Sequence, residues 1–334
     1  NEIFNGNIEK FNFNFRNDEK EACPYISFLE IEIDDFIDSY NESLESYFRD
    51  LNNKKINFFT DISNYLSYET GQPTHCYDTM KISEGLTLER NKEKTKFMTL
   101  LDKEIEIKKN NLIFSNNEKI VNLAGIVGGK NSACDHKTKS VIVECAYFNP
   151  EEIIGKSIQY NINSDAAYKF ERGVDPSSHE YVLRRFIQIT SEHTSIKNLK
   201  FLQKNYANIS NSKIECDVSE VNKILGTDID DNYFKKLLDD LGFEHNGSVI
   251  SIPLFRSDVC SINDIAEEVA RSIGYNNIPR KNFQIAINKK NSDNKELEQS
   301  IHALLIDNGF YEVINAPFSR IDSQSKIVLD NPLD

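Results

Sequence analysis

The sequence predicts an α+β, multidomain chain: a module built on mixed or antiparallel sheet, followed by a small helix-and-sheet domain. Three observations carry this expectation. At 334 residues the chain exceeds what one ordinary core holds, so two or three domains are expected. Residues 79–120 alternate apolar and charged positions between turn signals at Asn110-Asn111 and Asn116-Asn117, the pattern of antiparallel strands. Elsewhere, apolar residues recur at helical spacing in stretches that stop at glycine.

Element by element, Leu44, Tyr47, Phe48 and Leu51 give residues 29–51 an amphipathic helical face. After the short apolar stretch 56–59, DISNYLSYETGQPTHCYD (61–78) mixes a helical turn with a Gly-Gln-Pro break and is expected to present its side chains from a loop. In NLAGIVGG (122–129), Gly125, Gly128 and Gly129 allow close backbone approach or positive φ. VIVECAYF (141–148) is continuous enough in apolar residues to be a strand buried on both faces. Asn149-Pro150-Glu151-Glu152 starts a helix, with Asn as cap and Pro at the first position. A turn-rich stretch, 164–176, precedes a helix through Val182, Leu183, Phe186 and Ile187.

The polar segment 203–213 marks a boundary, so the first module is expected to span 1–203. The next, 204–282, contains a helix over 231–241 with Tyr233, Phe234, Leu237, Leu238 and Leu241 on one face, an Asp cap and Gly242 as stop. It continues with an alternating strand in 248–255. A helix in 262–275 then aligns Ile262, Ile265, Ala266, Val269, Ala270 and Ile273. A second polar linker (281–294) leads to a helix carrying Leu297, Ile301, Leu304 and Leu305, in a third, truncated unit over 283–334. The chain opens without Met and closes in IVLDNPLD, which reads as an interrupted strand, so both ends are expected to be cuts.

Composition narrows the function classes. Hydrophobic residues make up 39% and charged residues 28%, a globular balance. No apolar run approaches the roughly eighteen residues of a membrane helix. NEIFNGNIEK lacks the basic start and apolar core of a secretory signal, so the cytoplasm is the expected compartment. The six cysteines show no CxxC and no His at ligand spacing, which favours reduced thiols over zinc. A formal charge of −14 argues against strong general affinity for nucleic acid, so any such contact must be local or shared with another chain.

Four segments hold residues suited to chemistry: Ser63-Asn64, Pro73 with His75, Ala124-Gly125, and Glu144. Each also has a plain structural explanation. His75 after a proline turn reads equally as a satisfied loop histidine, and the glycines of 122–129 as a tight hairpin. Glu144 inside an apolar strand must be paired or hydrogen-bonded, because burying a lone carboxylate is costly; a structural salt bridge would satisfy it. The glycine segment lacks the GxGxxG spacing of a dinucleotide loop. A second cluster, Asp258, Asp264, Glu267 and Glu268, lies around helix 262–274 on a polar face. It reads as a solvated face with Arg271 paired to Glu267 or Glu268, or as oxygen ligands for a hard cation.

TDISNYLSYETGQPTHCYD, NLAGIVGG, VIVECAYFNP and SDAAYKFERGVDP resemble, in order and spacing, the motifs of the bacterial phenylalanyl-tRNA synthetase beta-subunit family. IPLFRSDVCSINDIAEEVARSIGYNNIP is similar to its next domain, and VINAPFS with VLDNPL to the start of its catalytic-like, inactive module. The resemblance covers almost the whole chain, most weakly residues 1–50. It implies that the first module edits, hydrolysing tyrosine wrongly esterified to the phenylalanine tRNA, with Ser63, Asn64, Pro73, His75, Ala124, Gly125 and Glu144 lining the pocket. Glu144 would accept the phenol that distinguishes tyrosine. His75 and Asn64 would hold the ester and a water, with backbone amides around Ala124-Gly125 open to a developing oxyanion. His75 is either a general base or a positioning group. Cys76 and Cys145 read as packing, and Phe170, Glu171, Arg172 and Asp175 as holding the module together.

The resemblance further implies that Asp258, Asp264, Glu267 and Glu268 form a magnesium site shared with an alpha subunit. The partners would be that subunit, in an assembly of two alpha and two beta chains, and the phenylalanine tRNA; ATP would be used on the alpha chain. Three departures stand out: Ser63 where Thr is expected, GIVGG for GIMGG, and Lys169 for Arg. The alternatives are a non-catalytic assembly and tRNA-positioning module, or a freestanding nucleic-acid-binding protein.

Overall fold

The computed structural model describes residues 2–37, 39–82, 85–280 and 294–315. The chain divides into two compact units, residues 1–279 and 280–334. Short strands β1 (Glu9–Lys10) and β2 (Phe15–Asn17) lead to β3 (Tyr25–Ile33). The helix expected within 29–51 is thereby confined to α1 (Glu42–Asp50), capped by Asn41, whose side chain accepts from the Leu44 amide. The run YISFLEIEI is nearly continuous in apolar residues and rich in isoleucine, which suits a strand covered on both faces.

Residues 58–70 form the helix α2 (Phe58–Thr70), correcting the expected loop. Its ends explain it: Asn57 caps the start by accepting from the Thr60 amide, and Gly71 at φ 79 stops it. Pro73 then directs the chain into β4 (Thr74–Asp78). The alternating region is strand as expected, in β5 (Leu86–Arg90), β6 (Thr95–Met98), β7 (Glu104–Ile107), β8 (Leu112–Asn116) and β9 (Lys119–Leu123). Asn110 and Asn117 take positive φ at the foreseen turns. After β10 (Val127–Gly128) and β11 (Ser140–Tyr147) come α3 (Pro150–Ile153), α4 (Lys156–Tyr160), α5 (Asp165–Phe170), α6 (His179–Ser191) and β12 (Ile196–Asn205).

Two mixed sheets organise this module, in the orders β1-β12-β3-β11-β4 and β10-β9-β8-β5-β2. In the first sheet β11 pairs antiparallel with both β3 and β4. Its side chains alternate between two cores. Val141, Val143 and Cys145 pack against α2 and α6 through Phe59, Ile62, Leu66, Val182 and Phe186. Ile142 and Ala146 face the second sheet with Phe28, Tyr77, Leu88, Phe114 and Leu123. Glu144 lies between Ile142 and Ala146, so strand alternation turns it toward the second sheet.

The following module comprises β13 (Lys213–Glu215), α7 (Val218–Leu225), α8 (Asp231–Asp240), β14 (Glu244–Asn246), β15 (Val249–Ser251) and α9 (Ile262–Ile273). The sheet order is β13-β15-β14, and Phe234, Leu237, Leu238, Ile265 and Val269 form its core. The expected strand over 248–255 shrinks to β15 because Pro253 lacks the amide to continue it. In the second unit α10 (Asn294–Asp307) covers the expected periodic positions. The linker residues 281–293 and the expected catalytic-like start in 316–334 lie outside the described residues.

Asn57 caps α2 and also donates from Nδ2 to the Cys134 carbonyl at 3.1 Å. Asn57→Ala is therefore expected to lower unfolding free energy by about 1–2 kcal/mol in urea. An unchanged midpoint would show that neither bond contributes.

Candidate functional site

A cavity of about 340 Å³ opens between α2, β4, the 122–128 segment and β11. Ser63, Asn64, Pro73, His75, Gly125 and Glu144 all line it. These residues come from a helix, a strand end, a turn and a second strand, and the fold brings them around one cavity. Ala124 is the exception: its side chain is 2% exposed and belongs to the core between the sheets.

Register explains the central pair. His75 on β4 lies directly opposite Glu144 on β11, so both side chains leave the same face, with Cβ atoms about 5 Å apart. His75 is therefore a strand residue rather than a satisfied loop histidine. Its Nε2 is buried without a hydrogen-bond partner, and burial pulls its pKa down to about 4, which keeps the ring neutral at physiological pH. Gly128 makes room for the ring: a Cβ there would stand 2.2 Å from His75 Cε1.

Glu144 is 4% exposed and forms no ion pair among the described residues. Its Oε2 instead accepts from the Tyr77 hydroxyl at 2.6 Å. Burial pushes its pKa up to about 8, with the Tyr77 hydrogen bond working in the opposite direction. Tyr77 in turn accepts from Asn122 Nδ2 at 2.9 Å, and its ring stands edge-on to His75 with centroids 4.4 Å apart. Neither Tyr77 nor Asn122 was singled out from the sequence. The available signal was the spacing of THCYD, which as a strand places residues 75 and 77 on one face.

Other expectations are modified. Ser63 Oγ donates to the Thr74 carbonyl at 2.8 Å and lies 2.7 Å from Thr74 Oγ1, so it ties α2 to β4. Asn64 is exposed at the cavity mouth. The Ala124 amide donates to the Leu112 carbonyl and is not open to an oxyanion. The Gly125 amide has no partner among the described residues, and Gly125 takes φ 70, where an added Cβ would meet Ile153 Cδ1 at 2.7 Å. Phe170 lines the cavity and packs on Phe148, and Lys169 ties α5 to α2 through Ser67. Cys76 and Cys145 are buried, unpaired thiols whose pKa values burial pushes well up, in keeping with packing.

The acidic cluster around α9 is engaged by arginines and backbone amides of this chain. Arg256 donates to Asp258 Oδ2 at 2.6 Å and to Glu268 Oε1 at 2.8 Å, and Arg271 reaches the same Glu268 oxygen at 2.9 Å. Glu268 is buried between these guanidinium groups rather than solvated. Asp264 Oδ2 accepts from the Cys260 and Ser261 amides as part of the capping of α9. Glu267 points to solvent. Among the described residues no three His, Cys, Asp or Glu side chains are gathered to hold a metal. Of the four residues expected to hold magnesium together with an alpha subunit, Asp258 and Glu268 are paired with arginines in this chain, Asp264 caps α9, and Glu267 is exposed.

Residues 22–195 match the family model of the B3/4 domain, and residues 214–275 that of the tRNA synthetase B5 domain. Relatives include phenylalanine–tRNA ligase beta subunits. That of Francisella tularensis is 32% identical over 273 residues, covering 79% of this chain and 34% of that protein. That of Clostridium tetani is 33% identical over 289 residues, covering 84% and 36%. The chain thus spans about a third of the length of these relatives. An N-terminal fragment of the phenylalanyl-tRNA synthetase beta-subunit from Pyrococcus horikoshii is similar over 82% of this chain and 78% of that one, at 15% identity. The TM-score of that pair is 0.38. No helix among the described residues is long and apolar enough to cross a membrane.

Glu144 is expected to give stability a specific pH dependence. Its folded pKa lies above the ordinary 4.5, at about 8. The folded chain thus keeps a proton that the unfolded chain releases. The contribution is fully present below 4.5 and is lost as pH rises through 8. Glu144→Gln removes this loss, so its stability relative to the unaltered chain should rise by on the order of a few kcal/mol across that window. Urea unfolding of both proteins at a series of pH values reads the difference, and parallel curves would contradict it.

Proposed function

Because the chain belongs to the B3/4 domain family and carries a tRNA synthetase B5 domain behind it, we propose that its cavity hydrolyses tyrosine wrongly esterified to the phenylalanine tRNA. The observation that carries this reading is Glu144: a buried carboxylate on an apolar strand, facing a cavity beside a histidine whose Nε2 has no partner. Tyrosine and phenylalanine differ by one hydroxyl, which an apolar pocket discriminates weakly. A site built to bond that hydroxyl rejects the analogue lacking it by roughly 10⁴–10⁵, since an unpaired buried acceptor is costly.

In the proposed reaction water attacks the ester carbonyl carbon, the bond to the ribose oxygen breaks, and that oxygen leaves with a proton. The ester is already activated, so no covalent enzyme intermediate is required. His75, neutral and with Nε2 unpartnered, orients the water; a pKa near 4 makes it a weak base, which favours positioning over proton abstraction. Asn64 at the mouth holds the ester end, and the Gly125 amide faces the developing oxyanion. Pro73 shapes the wall, and Ser63 holds α2 against β4. The complete protein would be the beta subunit of a cytoplasmic phenylalanine–tRNA ligase, paired with an alpha subunit in a two-alpha, two-beta assembly. Activation by ATP would belong to the alpha chain, so this chain alone would not charge tRNA.

A second reading, a non-catalytic assembly and tRNA-positioning module, draws support from two groups already engaged within the fold. These are the Ser63 hydroxyl on Thr74 and the Ala124 amide on Leu112.

Binding of non-hydrolysable tyrosyl-adenosine and phenylalanyl-adenosine decides between them. The tyrosyl compound should bind at least tenfold better, and Glu144→Ala should erase the difference. Equal, weak binding of both to the unaltered chain would leave the assembly reading in its place.

A further inference from the structure

The Tyr77 side chain is fully buried, and its oxygen is engaged twice: Asn122 Nδ2 donates to it at 2.9 Å, and its own proton is directed at Glu144 Oε2 at 2.6 Å. The other carboxylate oxygen, Oε1, has no hydrogen-bond partner among the described residues, and Glu144 lines the cavity. Tyr77 sits two residues along β4 from His75, which is paired with Glu144, and its ring abuts the imidazole at 77°. The chain has therefore built one phenol–carboxylate hydrogen bond of its own inside the site proposed to recognise a phenol.

We propose that Tyr77, held by Asn122, is a specificity-positioning residue that clamps one oxygen of Glu144 and leaves the other directed at the phenol of the ligand. The inference rests on the reading of Glu144 as phenol acceptor and deepens it. Its physical basis is that a carboxyl group rotates about a broad terminal torsion, which by itself does not distinguish its two oxygens. Above its pKa of about 8 the carboxyl accepts at both oxygens, and below it Oε2 still accepts from Tyr77 while Oε1 presents its proton, so in either form a second phenol pairs at Oε1 without displacing the first. Fixing one oxygen before the ligand arrives lowers the ordering cost of binding at the second. The same bond favours the ionised form of Glu144 against the opposing effect of burial.

The titratable groups near Glu144, on its own face and across the strand on the other, leave its titration readable. From β4, His75 is neutral above about pH 4, and Cys76 and Tyr77 hold their protons because burial raises both pKa values. Cys23, just before β3, and Cys145, on β11 itself, are raised in the same way. Across neutral and mildly alkaline pH, Glu144 is the one of these groups that titrates.

Tyr77→Phe tests the inference, since it keeps the ring against His75 and removes only the hydroxyl. Two quantities are measured on the ligand-free and ligand-bound chain. They are the titration midpoint of the Glu144 carboxyl by infrared spectroscopy, assigned with Glu144→Gln, and the affinity ratio of tyrosyl-adenosine to phenylalanyl-adenosine. The expected result is a midpoint above that of the unaltered chain and a ratio lowered about tenfold, with phenylalanyl binding unchanged. Asn122→Ala, which leaves the Tyr77 hydroxyl in place but untied, should lower the ratio in the same direction. If Tyr77→Phe leaves midpoint and ratio unaltered while Glu144→Gln abolishes the preference, the positioning role is overturned and the reading of Glu144 stands. If Tyr77→Phe weakens both compounds equally and melts early, Tyr77 is structural and the inference is overturned. If the unaltered chain shows no tyrosyl preference at any pH, the reading beneath the inference fails and takes it along.

Discussion

The cost of burying one carboxylate governs the arrangement of this module. Glu144 stands on β11 between Ile142 and Ala146, on the face turned toward the second sheet, where an unpaired charge is strongly disfavoured. The chain answers with a hydroxyl rather than a cation: Tyr77 bonds one oxygen, and Asn122 bonds Tyr77. A guanidinium in that position would neutralise the charge and fill the cavity. A neutral donor leaves the carboxyl with a pKa near 8 and an oxygen to offer.

The surrounding elements keep that arrangement in register. Pairing of β4 with β11 sets His75 opposite Glu144, and a one-residue slip would turn both to the wrong face. Gly128, paired with Asn122 across β9 and β10, gives the imidazole its space. The Ser63–Thr74 contact fixes α2 to the start of β4, and Gln72, 1% exposed, donates to the Ala146 carbonyl of β11. Sheet register and a few buried polar ties thus place a helix, two strands and a glycine turn around one small volume.

Much of this was legible in the residues. Alternation located the strands of 86–123, the apolar run 141–148 announced a two-faced strand, and the glycine stops ended the helices where the structure ends them. The segment 58–70 is not legible as a helix because its apolar positions are interrupted by polar ones that serve the cavity and the ties; the break at Gly71 was visible, but its N-terminal cap, Asn57, was not. Six of the named residues line one cavity, whereas Ala124 belongs to the core. Tyr77 escaped notice because its role exists only once two strands are paired. Around α9 the pairing of Arg271 with Glu268 was legible in the helical spacing, whereas Arg256 reaches Asp258 and Glu268 from outside the helix, which spacing along it does not show.

In the proposed function Glu144 makes this cavity selective for a phenol-bearing aminoacyl ester. The most direct measurement is the rate at which the chain deacylates phenylalanine tRNA carrying tyrosine, compared with the same tRNA carrying phenylalanine. The tyrosyl ester is expected to be hydrolysed at least a hundredfold faster, within the roughly 10⁴–10⁵ that a buried polar acceptor can supply. Equal rates for the two esters, or no hydrolysis of either above the uncatalysed level, would contradict it.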